Sequence, residues 1–295
     1  VARLKEFAVS GIVPDNRALL DVIPVEYAIA GQGGIRNPIG MRGVKLEMQA
    51  NVVSALLPVC MNLKEVAGAL NINALKLVPT AVAAGRAVLL ESQKENGVAV
   101  VEMGAATTSV AIFMEGFLQY FGVINVGANH ITNDIAISLA VSTEVAEEIK
   151  MKYVTAELID NDKPMTMRFG DESISFTKTM VNRIVEDRLI DIFEHVKKEI
   201  AIAGYEKKLP EGVVLTGGGA EMRGIERFAR EHMEVATRIG LPLMDVTHID
   251  NETKKPRFAV AIGLALMMND DMREQETRVE EKPAGFLSKL FGGGR

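Results

Sequence analysis

The spacing of apolar and polar residues changes period several times along this chain, and each change predicts an element. Val44, Leu46, Met48, Ala50 and Val52 alternate with Lys45, Glu47, Gln49 and Asn51, the period-2 pattern of a half-buried strand over residues 44–55. Residues 17–30 are extended and β-rich, with Pro24 pushing that part toward a sheet edge because proline has no N–H for a ladder. Residues 31–43 between them, with Asn37-Pro38 and many glycines, predict a loop. Together these make a small strand-loop-strand unit, preceded by the end of a helix over residues 1–10 and a turn at Pro14-Asp15-Asn16. Helical spacing returns over residues 62–70, and a short buried strand is expected over 74–78. Pro79 is placed as the first residue of a small apolar helix reaching residue 90. Ala81, Ala83, Ala84 and Gly85 let another element pack closely on it.

The middle of the chain mixes both periods. A buried strand over residues 97–101 leads into Glu102-Met103-Gly104-Ala105-Ala106-Thr107-Thr108-Ser109, and a second strand runs through Phe113. A turn at Glu115-Gly116 joins this to a third strand over 117–124, completing an antiparallel meander. Gly127-Ala128-Asn129 opens a helix to residue 140. The helix over 143–153 carries Glu147, Glu148, Lys150 and Lys152, which read as a solvated face. Two β-like runs, 165–169 and 173–176, precede a long helix over 177–203, where Val181, Ile184, Val185, Leu189, Ile192, Phe193, Val196 and Ile200 keep helical spacing. Residues 213–225, VVLTGGGAEMRGI, pass from an apolar run through Thr216 and three glycines to a helical segment. A short strand over 234–239, an apolar helix over 258–267 closed by Asn269-Asp270-Asp271, and a flexible charged linker over 272–282 ending at Pro283 follow.

Composition narrows the classes. A chain of 295 residues, 48% hydrophobic and 24% charged, is long enough for two domains or one large α/β unit with a sizeable core. A net charge of −6 without a basic run provides no field for nucleic acid, which is not expected as a partner. The single cysteine, Cys60, cannot form an intrachain disulfide and fits a reducing compartment. His130, His195, His232 and His248 are far apart, so no metal site is assigned to them. No signal peptide opens the chain, and no apolar run reaches the roughly 18 residues of a membrane span, so a cytoplasmic location is expected. The chain enters on helical spacing at Val1, which reads as a fragment whose N-terminus is missing.

Two turns carry candidate chemistry. An apolar strand running through Gly217, Gly218 and Gly219 into a helix brings backbone N–H groups and a positive helix end to one point, which suits a nucleotide. The turn after Glu102 offers the Thr107 and Thr108 hydroxyls and main-chain N–H groups to phosphate, with Glu102 near a divalent ion. Taken alone, either turn is explained at least as well by a plain connection. At the C-terminus, Phe286, Leu287, Leu290 and Phe291 form one apolar face of two helical turns, with Lys289 and Arg295 beside it. Behind a solvated tether this segment is expected to enter a membrane interface or a partner groove. Each apolar side chain contributes roughly 1.5–3 kcal/mol if fully buried, part of which is offset by ordering the helix, so one copy attaches reversibly.

VVLTGGGAEMRGI resembles the adenosine motif of the actin, sugar-kinase and heat-shock chaperone superfamily, GVAVVEMGAATTSVAIF its second phosphate motif, and FAVAIGLAL its closing connecting element. DVIPVEYAI, GIRNPIGMRGVKLEMQANVV and GANHITNDIA, with the tethered C-terminus, resemble the FtsA family of bacterial cell-division proteins over essentially the whole chain. The run around Asn37-Pro38-Ile39-Gly40 is specific to that family. The resemblance implies an α/β, actin-like (ribonuclease H-like), two-lobed fold with a small β-rich inserted subdomain. In those terms residues 1–50 are what remains of the inserted subdomain, and 51–96 with 258–268 what remains of the first lobe. Residues 97–140 with 211–257 are the nucleotide-binding second lobe, 141–210 its small partner-binding subdomain, 269–284 a flexible linker and 285–295 a membrane-targeting segment.

The same resemblance implies binding of ATP with Mg2+ between the lobes, self-association into filaments, and peripheral attachment to membrane lipids on the cytoplasmic face at the division site. It points to Gly104, Thr107, Thr108, Gly127, Asn129, Gly217, Gly218, Gly219 and Met222 for the nucleotide, with Glu102 reaching Mg2+ through water. The implied partner is the C-terminal tail of the tubulin-like FtsZ, with Arg188 as its contact, while Phe286, Leu287, Lys289, Leu290 and Phe291 meet the lipid. The implied role is to tether the FtsZ ring and help assemble the septum. The chain departs from the superfamily's second phosphate loop, Asp-x-Gly-Gly-Gly-Thr, where Glu102, Gly104, Ala105, Ala106, Thr107 and Ser109 stand; alanine restricts φ where glycine permits close approach. The first phosphate loop is absent. ATPase activity is therefore expected to be weak at most. The alternatives are a superfamily ATPase or phosphotransferase and a pilus-assembly relative, both set against the lipid-seeking tail. A lobe lacking strands is expected to expose sheet edges and to dissolve poorly.

Overall fold

The computed structural model describes residues 2–9, 12–72, 76–157, 163–170, 172–243 and 253–280. After α1 (Ala2–Val9), the strands β1 (Arg17–Ile29), β2 (Gln32–Ile35) and β3 (Leu46–Leu56) form an antiparallel sheet in the order β2-β1-β3. The alternation read over residues 44–55 becomes β3, which pairs with β1 from Arg17↔Leu56 to Ile29↔Leu46. β1 is the middle strand, yet β2 pairs only with Tyr27 and Ile29, so Pro24 has a neighbouring strand on one side, next to a bulge at Pro24/Glu26. Residues 31–43 are not all loop. Ala30 and Gly31 take positive φ (51° and 86°) and reverse the chain, so that Gln32–Ile35 run back along β1. Gly33 and Gly34 supply no side-chain pattern, which hid this strand.

Helix α2 (Leu57–Ala69) starts earlier than residue 62, with Pro58 in its first turn. Only Cys60 and Ala67 of α2 are buried, while Val59, Met61, Leu63 and Val66 face outward. The strand expected over 74–78 does not form in its described part, residues 76–78. Pro79 sits just before α3 (Thr80–Val88), and α4 (Glu91–Asn96) leads to the main sheet.

That sheet begins with the expected meander, β4 (Val98–Met103), β5 (Thr108–Met114) and β6 (Phe117–Ile124). Then follow α5 (Ala128–Leu139), α6 (Thr143–Tyr153), the hairpin β7 (Pro164–Phe169) and β8 (Glu172–Thr177), α7 (Lys178–Ile202), β9 (Val213–Thr216), α8 (Ile225–Met233), β10 (Thr237–Ile239) and α9 (Ala259–Glu280). The order β10-β9-β4-β5-β6 is parallel from β10 to β4 and antiparallel from β4 to β6. β10 is shorter than residues 234–239 because Glu234 takes positive φ (55°) in capping α8. Both faces of β4 are covered, which is why all its residues are buried and apolar alternation is lost. Ala99, Val101 and Met103 pack with Ile131, Leu189, Phe193 and Phe228 from α5, α7 and α8. Val98 and Val100 pack with Ala81, Ala84, Val88 and Ala259 from α3 and α9.

Helices α3 and α9 touch backbone to backbone, since a Cβ on Gly263 would lie 1.8 Å from Ala83 O. α9 is the close-packing neighbour that the small residues of α3 anticipate. It does not end at Asn269-Asp270-Asp271. Instead Arg86 pairs with Asp270 (2.8 Å) and Lys76 with Asp271 (2.8 Å), and the helix continues through residues 272–280, which composition had placed in a flexible linker. The expected membrane segment, with Phe286, Leu287, Lys289, Leu290 and Phe291, lies outside the described residues. No helix among the described residues is long and apolar enough to cross a membrane.

Gly263→Ala should destabilise the chain by about 1–3 kcal/mol, because the α3 backbone has nowhere to move. Gly68→Ala in α2, with nothing within 4 Å of the added Cβ, should leave stability unchanged or raise it by up to about 1 kcal/mol. Urea denaturation of the two variants measures both effects; equal midpoints would contradict the close α3–α9 contact.

Candidate functional site

The carboxyl ends of the parallel strands β4 and β9 lie side by side, with Glu102 opposite Thr216 on β9 and Ser109 on β5. Ligands of open α/β sheets collect at such ends. Past Glu102 the chain makes a tight turn closed by Gly104 N–H donating to Thr107 O (2.9 Å). The start of α5 is sewn to this turn: Ala128 N–H donates to Gly104 O (3.0 Å) and Asn129 N–H to Ala105 O (2.8 Å). A Cβ on Gly127 would lie 2.6 Å from Ala105 O, so only glycine permits the approach. Gly127 N–H donates to His130 Nδ1 (3.2 Å), giving that histidine a structural task.

These bonds sort the candidates. Thr108 is fully buried and its hydroxyl donates to Val126 O (2.8 Å), so it does not face a ligand; Thr107 and Gly104, half-buried, are on the rim with Ala105 and Ala106. Asn129 uses its N–H on the turn, while its side chain is exposed. Gly217 is buried at φ 88°, where a Cβ would lie 2.6 Å from Met103 O and 2.7 Å from a Glu102 oxygen; Gly219 would meet Met103 Cγ at 2.5 Å. Two of the three glycines are thus demanded by the fold. Gly218 alone of the three is exposed, with open space around it that leaves its main chain accessible.

The helix end expected at this point is displaced. Residues 218–221 form a 3₁₀ turn, Met222 is extended and half-buried, and α8 starts only at Ile225 after Gly224 at φ 83°. The N–H groups here come from a tight turn, not from the first turn of α8. The turn is held by Gly217 N–H to Pro256 O (3.2 Å), by the Thr216 hydroxyl to Gly240 O (3.0 Å), and by Arg257 gripping Glu221 with Nε at 2.7 and 2.9 Å. The hydrogen bonds from Arg257 hold the Glu221 carboxyl below its ordinary range.

Glu102 is 7% exposed. Burial pushes its carboxyl up, opposed by a hydrogen bond from Thr80, whose hydroxyl also lies 3.1 Å from Ser109 Oγ. A desolvated, partnered acid does not fit direct metal ligation, and no cluster of three His, Cys, Asp or Glu exists among the described residues. Thr80 escaped sequence reading because it lies more than twenty residues away on α3.

Glu147 and Lys150 were read as part of a solvated face. The fold instead packs Lys150 against the first turns of α5, while Glu147 beside it stays half exposed. Lys150 Nζ, its side chain 9% exposed, donates to Thr132 Oγ1 (2.8 Å) and Ala128 O (3.3 Å) and pairs with Glu147 (2.6 Å); Thr132 donates to Glu147 (2.5 Å). Burial raises the Glu147 carboxyl, but the bonds from Lys150 and Thr132 outweigh it and leave it below the usual range. The i,i+3 spacing was visible; which way it faced was not.

Arg188 lies elsewhere, between α5 and α7. Its guanidinium grips Asp134 (2.7 and 3.0 Å) and Asp191 (2.8 Å) in a groove of about 440 Å³ also lined by Ile137, Ile184 and Asp187.

The architecture is actin-like. It superposes on a chain of the PilM-PilN type IV pilus biogenesis complex with a TM-score of 0.65, at 19% identity, over 90% of this chain and 70% of that one. MreB 5 of Spiroplasma citri bound to AMPPNP gives 0.61 at 17% identity, over 76% and 68%. Residues 99–263 match the family model of cell division protein FtsA, and residues 1–54 that of the SHS2 domain inserted in FtsA. The chain therefore belongs to the FtsA family. It is 30% identical over 270 residues to cell division protein FtsA of Pseudomonas aeruginosa, covering 90% of this chain and 64% of that protein. With FtsA of Borreliella burgdorferi it shares 32% over 308 residues, covering 99% and 73%.

The raised Glu102 carboxyl gives a pH test. The folded chain holds this proton more tightly than the unfolded chain. The resulting stability is fully present below the unfolded value of 4.5 and is lost as pH rises through the folded value. Glu102→Gln should therefore raise the melting temperature near neutral pH, the gain shrinking to nothing below pH 4.5. A gain independent of pH would contradict the assignment.

Proposed function

We propose that this chain is the nucleotide-binding body of an actin-like adaptor that tethers the tubulin-like FtsZ ring to the inner face of the cytoplasmic membrane and helps assemble the septum. The observation that carries the nucleotide part is the meeting of the Gly104 turn and the Gly217–Gly219 turn at the ends of β4 and β9, with Gly218 open to solvent. ATP, carrying Mg2+ on its phosphates, lies against Gly104, Thr107 and Gly218, with Gly127, Gly217 and Gly219 shaping the backbone and Asn129 and Met222 at the edges. Structures of the same fold bound to ADP and AMPPNP support this reading. Hydrolysis is weak, since among the described residues Glu102 is buried and Glu221 is held by Arg257. Self-association into filaments is the mechanical output.

The partner end is the groove around Arg188. An FtsZ tail there meets Ile137, which is 79% exposed, and Ile184, while Arg188 is already neutralised by Asp134 and Asp191. The lipid end is the Phe286, Leu287, Lys289, Leu290 and Phe291 segment.

Sedimentation with anionic liposomes tests the tether. The chain should carry an FtsZ C-terminal peptide into the pellet, a Phe286→Asp, Phe291→Asp variant should stay in solution, and Ile137→Asp should pellet without the peptide. Retention of the peptide by Ile137→Asp would remove the α5–α7 groove from the reading. For the nucleotide, Gly218→Ala should leave the melting temperature unchanged and lower ATP affinity by about tenfold, as loss of one close backbone approach predicts; unchanged affinity would move the nucleotide away from this turn.

A further inference from the structure

The turn around Asn37-Pro38-Ile39-Gly40 has no part in the nucleotide or groove chemistry. It is nevertheless a built feature. Pro38 is buried, Ile39 N–H bonds to Asn37 Oδ1 (3.1 Å), Met41 N–H to Pro38 O (3.2 Å), and Gly40 takes φ 84°. Ala30 N–H closes the base on Lys45 O (2.9 Å). This framework presents apolar side chains to solvent: Ile39 is 77% exposed, Met41 54% and Val44 99%. Apolar side chains are also exposed along α2, but here three lie within six residues of an ordered turn and have cations among them.

The charges within this segment have one sign, although Glu26, Glu47 and Glu95 reach it from outside. Residues 31–46 contain Arg36, Arg42 and Lys45 and no acid, in a chain of net charge −6. Arg36 pairs with Glu95 (2.9 Å) and Lys45 with Glu47 (2.5 Å), while Arg42, between Met41 and Val44, has no carboxylate partner among the described residues. Exposed aliphatic side chains with an exposed arginine among them in sequence complement an anionic bilayer, where alkyl groups enter the acyl boundary and guanidinium meets phosphate. A protein partner would need a facing pocket for each side chain. The preformed turn also lowers the entropy cost of insertion.

We propose that this turn is a second lipid contact, with Ile39, Met41 and Val44 entering the interface of an anionic membrane and Arg42 on its phosphates. The proposal rests on the membrane-tether reading and adds a contact that orients the small N-terminal sheet against the bilayer. Two weak contacts on one body raise overall attachment beyond either alone.

The chain contains no tryptophan, so Met41→Trp supplies a single emission probe at the turn. The probe is read with vesicles of phosphatidylcholine carrying about one third phosphatidylglycerol, a surface that attracts cations. Emission should shift to the blue and be quenched by lipid brominated in its acyl chains. Ile39→Ser, Val44→Ser in the otherwise unaltered chain should lower vesicle affinity about tenfold or more, as losing two partly buried side chains predicts. Pelleting with unshifted emission would overturn the proposal and leave the tail tether standing. If the chain fails to pellet, the tether reading fails by itself, and emission at saturating vesicle concentration still decides the turn: a shift supports it, none overturns it. A blue shift on concentrating the protein without vesicles would also overturn it, making a second copy of the chain the occupant.

Discussion

The structure depends on how closely three backbone segments approach at the ends of β4 and β9. Gly217 lies against Met103 and Glu102, and Gly127 against the 104–105 peptide, at distances where a single methyl group would collide. These contacts set the direction in which the chain leaves each strand, and hence where α5 and the 3₁₀ turn begin. They also use polar groups that would otherwise face a ligand. Two N–H groups of α5 bind the turn, and the Thr108 hydroxyl is held by Val126. What remains open is narrow: the Gly104–Thr107 rim and Gly218.

The central sheet links this site to both helical layers. Alternate residues of β4 point toward α5, α7 and α8 on one face and toward α3 and α9 on the other. Glu102 extends that linkage into polar chemistry, since its buried carboxyl meets Thr80 at the first turn of α3. A movement of α3 along α9 would therefore disturb the acid beneath the Gly104–Thr107 turn. The Arg86–Asp270 pair and the Gly263–Ala83 contact restrain such movement from the far side.

Charge is used differently at the start and the middle of α5. At its start, Lys150 is drawn in with Thr132, with the half-exposed Glu147 alongside, and braces the first turns beside Asn129. Further along, Asp134 and Arg188 form a bidentate pair that is about a quarter exposed and walls a groove. Bidentate geometry makes the second pair directional, but solvent screening keeps its contribution small, on the order of 1 kcal/mol. Its role is better understood as shaping the groove between α5 and α7 than as holding the helices together.

Periodicity by itself determined much of the architecture. The alternation of β3, the meander of β4 to β6, the long amphipathic α7 and the glycine turn after β9 were all legible, because each is a local pattern with one dominant period. The small residues of α3 announced a close neighbour, though not that α9 would be it. Composition also misled where local and tertiary signals differ: Gly33 and Gly34 concealed β2, and the charged residues after Asp271 concealed the rest of α9. Only the tertiary structure decided which candidates share a site. It buried Thr108 and Glu102, exposed Gly218, turned Lys150 inward, and set Arg188 in a separate groove. The physical reason is that burial and pairing depend on groups far apart along the chain, and no local period reports which of them will meet.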